Sequence, residues 1–434
     1  MNNLNAKPML FIVILLTITV ISCGGRDVSG PDDDVITLFN LKVTSIGLIV
    51  ILSWDAIDNS SLIGYNIYRQ SDGSEFLKYD SVPGEETLYM DNMVSAEIGY
   101  EYHITAELTD NRESLPSDAV RIIPGLTTTW VFDNFTRTLT ELTHDVAHKT
   151  GKVFNGLPSV TAFDIDEKSG YIYLLNGSDK TLMLYVEGQA PASLTNPDST
   201  FTLFDDPSDI DYDSVRDDMW IADGSSGNIY RYSLKAPGEW LLADSLYTGG
   251  SADEAQINTN NGNYWVVNSS GNSVEIYRNL SPGYSRKSIK GFTSEGIILA
   301  LDEKRERSYV IDIGTGAVSV IMSSGDESPI SAINKAIAAS VEPETGELWV
   351  LADDDEDGSY DLIKLSDIGV RKYNINTGMS RPTWMGVNPI NMNVVILDET
   401  IEEARVYTYD KFGESINTFD PFFSPKIARI LKSD

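Results

Sequence analysis

The sequence predicts an all-β protein: a β-sandwich followed by a β-propeller of seven blades, or six with an irregular first segment, closed by a C-terminal strand. Two observations predict it. From Val35 to about Pro124, seven short segments alternate apolar and polar residues between turn residues, a spacing that suits a β-sandwich. From Trp130 onward, an aromatic–apolar–apolar–Asn/Asp unit recurs every 40–47 residues with only β-type patterns between instances. A period of that size marks propeller blades.

The chain opens with polar residues, Lys7, and an apolar run from Met9 to Ile21. The run is too short to span a bilayer, which takes about 20 residues, and has the length of a signal-peptide core. Val20-Ile21-Ser22-Cys23 then resembles a bacterial lipobox: an aliphatic residue, a tolerant position, a small residue and cysteine. The resemblance implies a signal peptide over residues 1–22 and a diacylglycerol on Cys23. Cys23 is the only cysteine, so no internal disulfide is available. Two acyl chains give stable anchoring where one is marginal. Residues 23–34 read as an acidic Gly/Pro/Asp tether. It resembles the stretch behind the lipid cysteine in surface-exported lipoproteins, and Gly24 is not the Asp of inner-membrane retention. Together these imply the outer membrane or cell surface of a Gram-negative bacterium.

The sandwich is expected over residues 35–125, with strands at Val35–Val43, Leu48–Trp54, Gly64–Arg69, Phe76–Val82, Thr87–Asp91, Tyr100–Leu108 and Ala119–Ile123. Asp58-Asn59, Asp72-Gly73, Pro83-Gly84 and Asp110-Asn111 punctuate them. Leu52-Ser53-Trp54-Asp55, Gly64-Tyr65-Asn66-Ile67-Tyr68-Arg69 and Gly99-Tyr100-Glu101-Tyr102 resemble the second, third and sixth strands of fibronectin type III domains. Ser114-Leu115-Pro116-Ser117 resembles the approach to the last. The resemblance implies a spacer or adhesion module.

The propeller is expected over residues 126–434. Its repeats begin at Trp130, Tyr173, Trp220, Trp265, Tyr309, Trp349 and Val395, and most units end on Asn or Asp before a Gly/Ser turn. That terminal Asn/Asp is expected to bond backbone in the turn. No inner strand precedes Trp130, while Pro425 starts an unpartnered strand, Lys426–Leu431. Pairing the two removes an open edge. The units resemble NHL-type and YVTN-type propellers of bacterial surface and periplasmic proteins, which host binding, lyase, hydrolase and scaffold functions.

With 65 acidic and 32 basic residues the net charge is −33, which argues against nucleic-acid binding. No catalytic residues emerge. No Gly-x-Ser-x-Gly elbow or phosphate-cradling loop is present, and a Cys/His zinc site is excluded by the residues available. His103 reads as structural. His144 and His148 are four apart, but between predicted strands, so a solvated loop is expected. One hairpin reads Asp353-Asp354-Asp355-Glu356-Asp357-Gly358, and alternate carboxylates with Gly suit a hard cation. Asp353, Asp355, Asp357 and Asp361 are the candidate calcium ligands, with a plain solvated acidic hairpin as the alternative, since position twelve is Lys364 rather than Glu. The repeat register places Asp209, Asp253, Glu254, Glu295, Lys335 and Arg381 at the central mouth, either as contacts for a protein or glycan ligand or as solvated loop residues. The favoured reading is a non-enzymatic surface lipoprotein. A lyase or hydrolase at the mouth, and a structural subunit of an envelope complex, are the alternatives.

Overall fold

The computed structural model describes residues 40–432, except 110–111, 167–168, 187–198, 202–203, 237–238, 281–282, 401–403, 420–421 and 423. The signal, Cys23, the tether, Val35–Phe39 and the Asp110-Asn111 turn lie outside the described residues. The described residues form one compact unit. Every described element is a strand apart from one turn of 3-10 helix at Glu303–Arg305.

Seven strands come first: β1 (Lys42–Ile46), β2 (Ile49–Ser53), β3 (Leu62–Ser71), β4 (Leu77–Pro83), β5 (Leu88–Asp91), β6 (Tyr100–Leu108) and β7 (Val120–Ile122). They form two antiparallel sheets, β1-β2-β5 and β4-β3-β6-β7. Alternation puts Val50, Leu52, Tyr65, Ile67, Tyr102 and Ile104 inside. Trp54 packs edge-on to Tyr65, with ring centroids 5.3 Å apart. His103 stacks between Tyr68 and Phe76 at 4.8 and 4.3 Å, and burial lowers its pKa. One charge lies inside as well. Asp91, 1 % exposed, accepts from Arg69 (2.7 Å), Tyr102 (2.8 Å), Tyr79 (3.1 Å) and the Met93 amide (2.9 Å).

From residue 127 on, the chain makes four-stranded antiparallel meanders. The first strands of these sheets are β11 (Ala162–Asp166), β15 (Pro207–Asp213), β19 (Glu254–Asn258), β23 (Ile297–Asp302), β27 (Ala336–Val341) and β31 (Pro382–Val387). Another sheet is composite. β8 (Thr127–Asp133), β9 (Thr138–Leu142) and β10 (Lys149–Phe154) are completed by the last strand, β35 (Pro425–Lys432), in the order β10-β9-β8-β35. β35 pairs antiparallel with β8, from Pro425 opposite Asp133 to Lys432 opposite Thr127. The first strands run side by side around a centre, each beside the next, and β35 touches both β31 and β11. The sheets therefore close into a ring without an open inner edge.

The second strand of each sheet explains the recurring motif. Asp218–Asp223 and Asn263–Asn268 are buried along their whole length. Packed between neighbouring sheets on both faces, such strands read as apolar runs rather than alternations. The closing Asp or Asn ties the turn to the loop before the first strand. Asp223 accepts from the amides of Asp205 (2.8 Å) and Asp206 (3.0 Å). Asp133 accepts from Phe135, Thr136 and Ser424. At Asp312, burial favours the neutral acid, but bonds from the Thr293 side chain and backbone and the Gly314 amide outweigh it and lower the pKa.

Candidate functional site: the centre of the ring

Arg429 sits on β35 where the inner strands converge. Its Nε donates to the Phe163 carbonyl (3.1 Å) and its Nη2 to the Ile210 carbonyl (3.2 Å). It also lies 3.9, 3.8 and 3.9 Å from carboxylate oxygens of Asp164, Asp209 and Asp211. Burial works against the guanidinium charge, and Asp164, Asp211, Asp209 and Glu254 more than offset it. Burial raises the three aspartates, Asp211 most, while Arg429 pulls the other way. Glu254 is pushed up to about 8, first by burial and then by Asp209.

These side chains also hold adjacent inner strands together. Asp164 accepts from the Tyr212 amide (2.7 Å), Asp209 from Ala255 (3.0 Å) and Asp211 from Ile257 (2.9 Å). Gln256 accepts from Leu301 (3.0 Å) and donates to the Leu299 carbonyl (3.1 Å). Further round, Ser340 accepts from Val387 (3.1 Å), and Thr383 donates to the Pro425 carbonyl (2.9 Å). Neighbouring inner strands belong to different sheets, so no backbone ladder joins them. Polar side chains at these contacts satisfy backbone groups that would otherwise be costly.

Beside Arg429 opens a cavity of about 380 Å³. Glu254 and Gln256 line it from β19, Ser340 from β27, and Thr383, Trp384 and Met385 from β31. Trp384 is partly exposed there. Its indole lies over Gly386, where an added Cβ would stand 2.3 Å from the ring. Glycine at 386 is thus what lets the ring lie flat along its own strand.

Of the residues expected at the mouth, Asp209 and Glu254 belong to this centre. The other four do not meet there. Asp253 is tied to Ser251 (2.5 Å) and the Ser269 amide (2.8 Å). Glu295 is exposed in the loop before β23. Lys335 pairs with Asp353 (3.7 Å) and Glu356 (3.4 Å), and Arg381 with Glu399 (3.7 Å). The centre instead uses residues inside the strands. Asp164, Asp211, Gln256, Trp384 and Arg429 went unnoticed in the sequence, though acids inside apolar strands, as in Phe163-Asp164-Ile165 and Ile210-Asp211-Tyr212, were an available signal.

In the acidic hairpin, Asp353, Asp355 and Asp357 bring one oxygen each within 4.8 Å of one another. Asp361 stands apart from that set. It is buried, and burial and then the neighbouring Asp355 raise its pKa. Lys335 already supplies a cation to the cluster.

The expected solvated loop around His144 is a junction instead. His144 is 3 % exposed, with Nε2 2.7 Å from Glu97 of the sandwich and Nδ1 2.5 Å from Thr127 of the ring. Asn391 approaches Nε2 at 3.0 Å, and His148 Nε2 reaches the Arg121 carbonyl at 2.8 Å. A Cβ at Gly125 would stand 2.3 Å from the imidazole. The two histidines clasp the segment joining sandwich and ring, a contact made only when both have folded.

No protein-family model and no curated protein matches the chain. Several solved structures resemble its fold. A putative 6-phosphogluconolactonase from Bacteroides uniformis aligns with a TM-score of 0.55 and 12% identity, over 70% of this chain and 100% of that one. A protein from Lactobacillus plantarum gives 0.53 and 14%, over 70% and 100%. The periplasmic gluconolactonase of Pseudomonas aeruginosa gives 0.52 and 12%, over 71% and 99%. The chain carries a β-propeller. At these identities the likeness establishes the fold alone, and the propeller's chemistry must be read from its own centre.

Proposed function

We propose that this protein is a lipid-anchored extracytoplasmic binding protein whose propeller takes a polar, glycan-type ligand in its central cavity. On this reading residues 1–22 are the signal peptide, and Cys23 carries the lipid on the outer membrane or cell surface. Residues 23–34 form the tether. Residues 35–125 form a fibronectin type III sandwich that acts as spacer, and residues 126–434 form seven blades.

One observation carries the binding assignment: a cavity of about 380 Å³ lined by Trp384, Arg429, Gln256, Glu254 and Ser340. A flat apolar ring with a few convergent polar groups is the usual make-up of a small-molecule site. The lactonase names of two structural neighbours raise a hydrolase as the contrasting reading. Against it, Asp164, Asp209 and Asp211 each accept a backbone amide from the adjoining strand and share Arg429. Carboxylates so engaged are poorly placed to activate water.

The test is glycan-array screening and calorimetry on the detergent-solubilised full chain. Trp384→Ala should weaken a bound glycan at least about tenfold. Absence of glycan binding, together with lactone hydrolysis lost in Asp209→Asn, would replace this reading by the hydrolase. For the anchor, Cys23→Ser should move the protein from the membrane to the soluble extracytoplasmic fraction; unchanged membrane association would remove the lipid from the account.

A further inference from the structure

We propose that the ligand of the central cavity carries an organic ammonium group, held between the Glu254 carboxylate and the Trp384 indole. The proposal rests on the reading of the cavity as a binding site and names the chemistry that the site selects.

The first support is geometric. Glu254 begins β19 and Trp384 lies in β31, strands separated in the ring by β23 and β27. They line one cavity from different walls. A compact cation between them would meet a carboxylate on one side and an aromatic ring on the other. Ring faces attract cations through their quadrupole. The indole is held in place, since it lies over Gly386.

The second support is the charge balance. Four carboxylates, Asp164, Asp209, Asp211 and Glu254, surround one guanidinium. The ion-pair contacts of Arg429 are with the three aspartates, while Glu254 accepts from Gln256 Nε2 at 3.1 Å and from the Leu299 amide. A cation bound beside them lets a carboxyl give up its proton, whereas an anionic ligand opposes that ionisation. Because burial and Asp209 push Glu254 up to about 8, the carboxyl holds a proton at neutral pH. A bound cation takes the place of that proton, so binding and proton release are linked.

Choline is the probe, because its charge does not change with pH, and 3,3-dimethylbutan-1-ol is its neutral counterpart. Calorimetry on the full chain in detergent should show choline binding strengthening about tenfold per pH unit from pH 6 towards 8, then levelling. The neutral alcohol should bind at least about tenfold more weakly with no pH dependence. At pH 7, two buffers of different ionisation enthalpy should reveal nearly one proton released per choline bound. Glu254→Gln should abolish the pH dependence, and Trp384→Leu should weaken choline without abolishing it. If Glu254→Gln does not fold, proton release by the parent protein decides alone. Equal binding of choline and the alcohol overturns the ammonium assignment, and choline binding without proton release overturns Glu254 as its partner. Binding of a neutral glycan where choline does not bind overturns it too, yet leaves the cavity as a binding site. No ligand of either kind overturns both.

Discussion

Asp91 and Arg429 show what a single charged side chain does inside a β-protein. Asp91 is enclosed, yet four donors meet its two oxygens. Removing it takes the carboxylate partner from the Arg69 guanidinium and from two tyrosine hydroxyls. Asp91→Ala should therefore cost about 3–5 kcal/mol in urea unfolding, the usual penalty for breaking a buried pair. Asp91→Asn, which keeps an acceptor, should cost less. The acidic hairpin makes a different residue-scale prediction. If Asp353, Asp355 and Asp357 hold calcium, millimolar calcium raises the melting temperature of the parent, and Asp355→Asn with Asp357→Asn removes the rise. No rise in the parent would end the calcium assignment. These acids were legible because they are consecutive in sequence. Asp361 was placed with them by spacing alone, and its burial follows from the strand Tyr360–Leu365, which is buried from Asp361 onward.

At the scale of elements, β35 decides most. It is the inner strand of the composite sheet, it touches β31 and β11, and it carries Arg429. Deleting residues 425–434 exposes the inner edge of β8 and leaves the central acids without their cation. The truncated chain should lose cooperative thermal unfolding and aggregate at micromolar concentration by light scattering, because open edges recruit other strands. A monomeric truncation with unchanged melting would show that β35 does not close the ring. The strands themselves were readable. Tyr100–Leu108 matches its expected bounds, and Thr87–Asp91 and Phe76–Val82 shift by one residue. Turn residues and period-2 alternation are local, so sequence reports them well. Trp384 shows the limit: its place in a strand reads as ordinary core, and only the tertiary structure shows that it is partly exposed and lines the cavity.

For the whole molecule, the protons held at the centre link stability to pH. Glu254 has a folded pKa of about 8, above its ordinary value of 4.5. Its contribution is complete below pH 4.5 and is lost as pH rises through 8. Asp164, Asp209 and Asp211 are raised as well and act in the same direction. Glu97, Asp312 and Glu347 are lowered, so their contributions fail only under acid, below their ordinary values. The melting temperature should therefore fall from pH 5 to pH 9, and Glu254→Gln should flatten that slope. A melting temperature that rises over this range would contradict the protonation assigned to the centre.

What the sequence determined by itself was periodic or local: strands and turns, the repeat near 45 residues, the acidic charge, the lipobox-like Cys23 and the consecutive acids of the hairpin. The ring's centre needed tertiary structure. Asp164, Asp209, Glu254, Trp384 and Arg429 come from β11, β15, β19, β31 and β35, and no local pattern records that these strands meet. The sandwich–propeller junction is of the same kind, since His144 finds Glu97 and Asn391 only after two folded parts come together. Burial then does what sequence cannot state: it raises the central carboxyls, offsets their charge with one arginine, and turns ordinary strand residues into a candidate site.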